Sequence, residues 1–322
     1  MTKPHIVIIS PALAKANNGN WQTARRWERF LQSRYRVTLA LTWEGQPADA
    51  MIALHARRSA ASITAFAAHF PGQPIILALT GTDLYRDIKT DADAQRSLRQ
   101  ASHLVVLQSA GLQELKQDMA AKATVIYQSA RSLKPCIRNK FPRYVDVMMI
   151  GHLRDEKDPT AFMQAASLVT TPNVRLTHVG GALDPKWDAQ AKMTQHQESR
   201  YRWLGALPHA TTRQLLKRSH ILAVTSRMEG GANVIIEAIT SGVPVLASDI
   251  SGNRGMLGED YAGYFPVGDS AALAHLIDRT VLDAAFYQCL QTQCAERASL
   301  FLPAREKTTL LQLMDNALNG IE

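Results

Sequence analysis

Short apolar runs alternate along this chain with stretches whose apolar residues recur every three or four positions. In the first half, residues 5–10, 37–42, 51–55, 74–80, 103–108 and 124–128 are predicted as strands. These runs are mostly apolar rather than strictly alternating, the pattern of strands covered on both faces. Between several of them, residues 21–33, 59–69, 92–101 and 111–120 carry helical periodicity. Strand–helix–strand repetition predicts an open, doubly wound parallel sheet.

The stretch 130–144 breaks the rhythm: it is rich in Arg, Lys and Pro, lacks periodicity, and reads as a linker. The pattern then restarts. Strands are predicted at 145–150, 174–179, 201–204, 220–225, 244–248 and 263–266, and helices at 159–169, 211–218, 234–240, 271–279 and 284–298. A last helix, 304–319, follows Pro303. The expected organisation is an α/β chain with one Rossmann-like domain at 1–143, a second at 144–303, and a C-terminal helix at 304–322.

Length agrees, since 322 residues are long for one domain and comfortable for two. The formal charge of +8 calls for an anionic partner. The excess is spread over Arg25, Arg26, Arg57, Arg58, Arg131, Lys134, Arg138, Lys140, Arg143, Lys217 and Arg218, without a dense basic block or interleaved aromatics. That distribution suits phosphate handling and argues against nucleic acid. Cys136, Cys289 and Cys294 are too few and too irregular for a disulfide framework, and no Cys-x-x-Cys pair suggests zinc. No run approaches the ~20 apolar residues needed to span a bilayer. The first strand begins at once, with no charged-then-apolar leader, so a cytoplasmic protein is expected.

Chemistry-bearing residues gather at the ends of predicted strands. After strand 220–225, Ser226 leads to Glu229, Gly230, Gly231, Ala232, Asn233, Val234 and Glu237. The glycines permit a tight turn and close backbone approach to a ligand, and Asn233 is the expected helix cap. Unpaired N–H groups at such a helix start suit a pyrophosphate. Glu237, one turn in, is placed to accept from two ribose hydroxyls, and Glu229 at the strand edge to face a sugar. After strand 145–150 come Gly151, His152, Arg154, Glu156 and Lys157, in the loop position where ligands of open parallel sheets lie.

In the first half, Lys15, Asn18, Gly19 and Asn20 form a loop with anion-cradling composition between the first strand and the first helix. It is not a Gly-x-Gly-x-x-Gly fingerprint, so dinucleotide binding is not indicated. Arg57 and Arg58 end the third strand, either to clamp a small oxyanion or as solvated charges at a helix start. Thr80 and Thr82 bring hydroxyls to the end of the fourth. Asp91 and Asp93 mimic an Asp-x-Asp metal signature but lie away from any strand end, so they read as a solvated helix start and no metal is expected.

Taken together, Glu229 with Glu237, the 151–157 loop and the Gly-containing loop after the first strand resemble the GT-B glycosyltransferases of the glycogen synthase-like family 4. The resemblance narrows with Asn18-Gly-Asn20 before Thr23 and Trp27, Gly151 to Arg154 before Pro159, Glu229 to Asn233, and Ser251-Gly-Asn253 with Gly263 to Asp269. This combination is similar to the selenosugar synthases of selenoneine biosynthesis and covers nearly the whole chain.

The resemblance implies two domains facing across a cleft, with the C-terminal helix crossing back onto the first. It further implies a UDP-sugar donor in the second domain, either UDP-N-acetylglucosamine or UDP-glucose. Selenophosphate would be the acceptor, and a 1-seleno sugar, UDP and phosphate the products, with no cofactor. Lys157 and Arg154 would meet the leaving diphosphate, Glu229 and the 231–233 backbone the sugar and phosphate, and Glu237 the ribose. Lys15, Asn18, Gly19 and Asn20 would receive the acceptor. Two departures stand out. His152 replaces the family's Arg, exchanging a fixed charge for a group that donates one hydrogen bond when neutral. Asn253 and Arg254 stand where a carboxylate is common. An O-glycosyltransferase with a lipid or glycan acceptor, or a non-catalytic UDP-sugar-binding protein, would share the donor motifs.

Overall fold

A computed structural model describes residues 3–12, 19–134, 136 and 144–320. The chain divides into two compact units: Met1–Ser129 with Glu229–Gly231 and Leu302–Glu322, and Ala130–Met228 with Ala232–Phe301.

The first unit holds a six-stranded sheet in the order β2-β1-β3-β4-β5-β6, all pairs parallel. Its strands are β1 (His5–Ile9), β2 (Arg36–Ala40), β3 (Ala50–Leu54), β4 (Ile75–Leu79), β5 (His103–Val106) and β6 (Ala123–Val125). Its helices are α1 (Gly19–Leu31), α2 (Ala60–His69), α3 (Ile88–Thr90), α4 (Ala92–Gln100) and α5 (Gln117–Ala120). Successive residues of β1 feed opposite faces. Ile6 and Ile8 join Trp27, Leu31, Leu310 and Met314, whereas Val7 and Ile9 join Ile63, Phe66, Leu98 and Leu104. That two-sided burial is why the central strands are apolar at every position.

The second unit repeats the plan with β12-β11-β10-β7-β8-β9, again all parallel. Its strands are β7 (Val145–Ile150), β8 (Val174–Val179), β9 (Tyr201–Trp203), β10 (Ile221–Val224), β11 (Val245–Ser248) and β12 (Tyr264–Phe265). The helices are α6 (Pro159–Leu168), α7 (Pro185–Gln197), α8 (His209–Arg218), α9 (Asn233–Ile239), α10 (Ser251–Leu257), α11 (Ser270–Leu282) and α12 (Ala284–Arg297).

The last helix, α13 (Pro303–Asn319), belongs to the first unit and packs on its α1. A buried carboxylate anchors it. Glu306, 1% exposed, accepts from Arg26 Nε at 2.7 and 3.0 Å, Trp27 Nε1 at 2.7 Å and Ser129 Oγ at 2.5 Å. Among the described residues no helix is long and apolar enough to cross a membrane.

Three expectations need correction. The helix read at 111–120 is a 3₁₀ turn over Ser109–Glu114 followed by the short α5, because Lys116 between them is extended. Three helices lie outside the sequence-based expectation: the three-residue α3, α7, whose buried residues are only Trp187 and Ala191, and α10, which carries two glycines in seven residues. Asn233 is the first residue of α9 rather than its cap; Ala232 holds the cap position and makes no side-chain bond there.

Candidate functional site

In each sheet the strand order reverses at one place, β1/β3 in the first and β7/β10 in the second. Ligands of doubly wound sheets bind beyond the strand ends at such a reversal.

In the second unit the loops after β7 and β10 are tied together. Thr225 Oγ1 donates to the Lys157 carbonyl at 2.7 Å, and the Arg227 N–H to the Glu156 carbonyl at 2.9 Å. Arg227 Nη2 also meets Asp158 Oδ2 at 2.7 Å. Asp158 has φ +43°, a left-handed conformation that turns the chain from the Asp155–Lys157 3₁₀ turn into α6. The Lys157 stem lies over Gly151, where an added Cβ would meet its Cδ at 3.4 Å. Arg154 is extended and half exposed, 3.8 Å from Glu156. Ser226 is buried, and its carbonyl accepts from Ser248 Oγ at 2.5 Å.

The surroundings of His152 favour its neutral form over the cation. Burial pushes its pKa below the ordinary value. The Gly181 N–H donates to its Nδ1 at 3.2 Å, which leaves the ring proton on Nε2. Beneath it, His178 is fully buried and pushed down to about 4 by burial. Its Nδ1 lies 3.0 Å from the Tyr201 hydroxyl and its Nε2 3.3 Å from the Gly151 carbonyl. The Gly151 carbonyl is wedged further by Gly180, where a Cβ would come within 1.8 Å of it.

At the other edge of the site, Ala232 is buried while Asn233 and Val234 are half-buried on the first turn of α9. Glu237 follows on the next turn, 8% exposed. Its Oε1 accepts from His209 Nε2 at 2.6 Å, and this bond holds the His209 pKa above its ordinary value. Asn253 is fully buried and donates to the Ser248 carbonyl at 2.9 Å. Arg254 pairs on the surface with Asp249 and Glu259, at 2.5 and 2.8 Å. An open cavity of about 520 Å³ lies along the β8 and β9 ends, lined by Gly181, Ala182, Asp184, Trp203, Gly205 and Ala206 among others.

In the first unit, Gly19 and Asn20 open α1, while Lys15 and Asn18 lie outside the described residues. The β3 end carries His55, buried and left-handed at φ +75°. The Arg58 N–H reaches its Nδ1 at 3.4 Å, and its Nε2 lies 3.0 Å from Thr82 Oγ1. Arg57 Nε is 3.2 Å from Asp87 Oδ2, and Arg58 is exposed. Thr80 and Gly81 donate their N–H groups to the fully buried Asp83 at 2.9 and 2.8 Å. Asp83–Asp87 forms a π-helical turn that the sequence reading did not contain. Glu229 is 9% exposed in this unit. At Gly230 an added Cβ would lie 2.5 Å from the Thr80 carbonyl, and at Gly231 2.8 Å from Leu107 Cβ. These glycines are therefore required by protein backbone and side chains as well as by any ligand. Asp91 caps α4 by accepting the Ala94 N–H at 2.9 Å, and Asp93 pairs with Arg96 at 2.9 Å.

With that geometry in place, residues 136–299 match the model of the family described as glycosyl transferases group 1, which takes in most of the second unit. The chain belongs to the group 1 glycosyl transferases. A curated relative, glycosyltransferase 1 domain-containing protein 1 of Xenopus tropicalis, is 31% identical over 129 residues, 39% of this chain and 37% of that protein. The chain therefore matches just over a third of that relative's length. Among solved structures, sucrose-phosphate synthase of Thermosynechococcus elongatus superposes with a TM-score of 0.79 at 16% identity, covering 99% of this chain and 100% of that one. Anabaena HepE in complex with UDP-glucose gives 0.73 at 16%, with 99% and 100% covered. At such identities the likeness carries the fold, which is GT-B.

Two histidine contacts among these residues were not legible from the chain. His209 stands 28 positions before Glu237 and has no spacing signal linking it to that carboxylate. His178 lies inside an apolar strand, where a histidine reads as core.

Proposed function

We propose that the protein transfers a sugar from UDP-N-acetylglucosamine or UDP-glucose to selenophosphate, giving a 1-seleno sugar, UDP and phosphate. The observation that carries the donor half is the tie between the β7 and β10 loops, which fixes Lys157 at the strand-order reversal of the second sheet. Its ammonium and the Arg154 guanidinium balance charge as the diphosphate leaves, the group that gains charge in the transition state. His152 adds a neutral N–H donor. Ser226, Glu229 and the backbone from Gly230 to Val234 hold the sugar and phosphates, and Glu237 holds the ribose. UDP-glucose in the Anabaena HepE structure supports this choice of donor.

The acceptor half rests on the motif resemblance and on basic groups at the β1 and β3 ends. Lys15, Asn18, Gly19 and Asn20 receive the anion, with Arg57, Arg58, Thr80 and Thr82 as its other donors. Selenium attacks the anomeric carbon as the bond from that carbon to the diphosphate oxygen breaks, and UDP departs with the electron pair. Water then cleaves the P–Se bond and releases phosphate. Selenium is already anionic and polarisable, so a strong general base is less needed than for a hydroxyl. Neither a metal nor a cofactor takes part in this scheme, and cytoplasmic residence goes with it.

UDP release with each donor, measured with and without selenophosphate, tests the proposal. Release that depends on selenophosphate is expected. Release driven instead by a glycan or lipid would replace the acceptor, and binding without turnover for any acceptor would leave a UDP-sugar-binding protein.

A further inference from the structure

We propose that His209 is a positioning residue for the nucleoside end of the donor site, holding the Glu237 carboxylate toward a ribose 2′,3′-diol. The inference rests on the reading of Glu237 as the ribose ligand.

Glu237 lies on a helix that packs beside α8, and His209 is the first residue of α8, following Pro208 at the cap. The side chains meet at 2.6 Å, Nε2 to Oε1. The Glu237 side chain is 11% exposed and that of His209 46%, so the pair has a buried end and a solvent-facing end. The other cation facing the carboxylate, Arg213, is bonded elsewhere through its Nη2, and its buried Nε makes no hydrogen bond. Arg213, one turn along α8, donates its Nη2 to the Arg131 carbonyl at 3.0 Å and to Ser241 Oγ at 3.2 Å. Among the described residues, His209 is thus the group that fixes the Glu237 carboxylate.

One bond of this kind matters because the carboxylate must present lone pairs to two hydroxyls at once. An ionised carboxylate has about four acceptor positions. His209 takes one on Oε1 and leaves Oε2 and the remaining Oε1 lone pair for the diol. It also freezes a long side chain before the ligand arrives, which lowers the ordering cost of binding. The charged groups facing His209 are Glu237 on α9 and Arg213 on its own helix; the carboxylate outweighs the cation and burial, and the imidazole pKa rises. The bond survives loss of the charge, because the neutral Nε2–H tautomer still donates.

The test is calorimetry of UDP and of 2′,3′-dideoxy-UDP on the full-length protein and on His209→Ala, His209→Gln and Glu237→Ala. The wild type is expected to prefer UDP. His209→Ala should lose about five- to tenfold in UDP affinity with dideoxy-UDP affinity unchanged, so that the preference collapses. His209→Gln, which keeps an N–H in reach of Oε1, should restore most of it. A His209→Ala variant that keeps the wild-type preference, or binds UDP more tightly, overturns the positioning role and leaves the ribose reading intact. A wild type that binds both nucleotides equally, with Glu237→Ala also unchanged, overturns the ribose reading itself.

Discussion

The turn that carries Lys157 is tied through its backbone carbonyl, a bond that truncation of the side chain leaves in place. The Thr225 hydroxyl binds its carbonyl, and its methylenes lie on Gly151. Lys157→Ala should therefore fold normally and lose at least ~10²-fold in turnover, as expected when one donor at a charge-developing centre is lost. Unchanged turnover would remove Lys157 from the mechanism. His209 offers a second residue-level check through pH. Its folded pKa is raised by the Glu237 bond above the ordinary 6.5. The pair's contribution to folding is then complete below pH 6.5 and fades as pH rises through the higher folded value. An NMR titration of the His209 ring should give a midpoint above 6.5 that falls in Glu237→Gln; a midpoint insensitive to that change would contradict the pairing. At this scale the spacing in the sequence points to the residues proposed to face the donor. It did not expose their partners, because His209 and Glu237 are brought together only by the packing of α8 against α9.

Elements were legible where burial is two-sided or amphipathic. Strands β7 and β8 coincide with their apolar runs, and helix α2 is displaced by one residue at its start. Legibility failed where tertiary context supplies the helix. Helix α7 covers the sheet edge with Trp187 and Ala191 alone, and α10 includes Gly252 and Gly255, which disfavour a helix in isolation. The loop after β7 shows the same dependence, since Gly180 and His178 fix the Gly151 carbonyl from a neighbouring strand. Gly180→Ala should destabilise the second unit by roughly 1–3 kcal/mol, because the new methyl must displace the backbone of the 151–157 loop. Urea denaturation with an unshifted midpoint would contradict this. The α13 anchor makes a complementary prediction. Replacing Glu306 by Gln leaves the largely buried Arg26 guanidinium without its carboxylate. Breaking a buried ion pair from one side costs about 3–5 kcal/mol. A loss of well under that in chemical denaturation would show that the pair does not hold α13.

On the scale of the molecule, the doubly wound sheets follow from the strand–helix rhythm, and the GT-B fold from family motifs laid over that rhythm. The return of Leu302–Glu322 to the first unit is implied by the family resemblance and not by the strand–helix rhythm, and the placing of Glu229–Gly231 in that unit by neither. Both depend on distant contacts, such as Glu306 with Arg26 and Gly230 against Thr80. The basic balance of the sequence, +8 overall, fits a protein handling a diphosphate leaving group and an anionic acceptor together. The proposed carbon–selenium bond is read from the product. Purified protein is incubated with UDP-N-acetylglucosamine or UDP-glucose and enzymatically generated selenophosphate, with phosphate and thiophosphate as controls, and the mixture is read by mass spectrometry. A new sugar carrying the selenium isotope pattern, formed in step with UDP, is expected. UDP formed without any selenium-containing sugar would contradict the proposed bond.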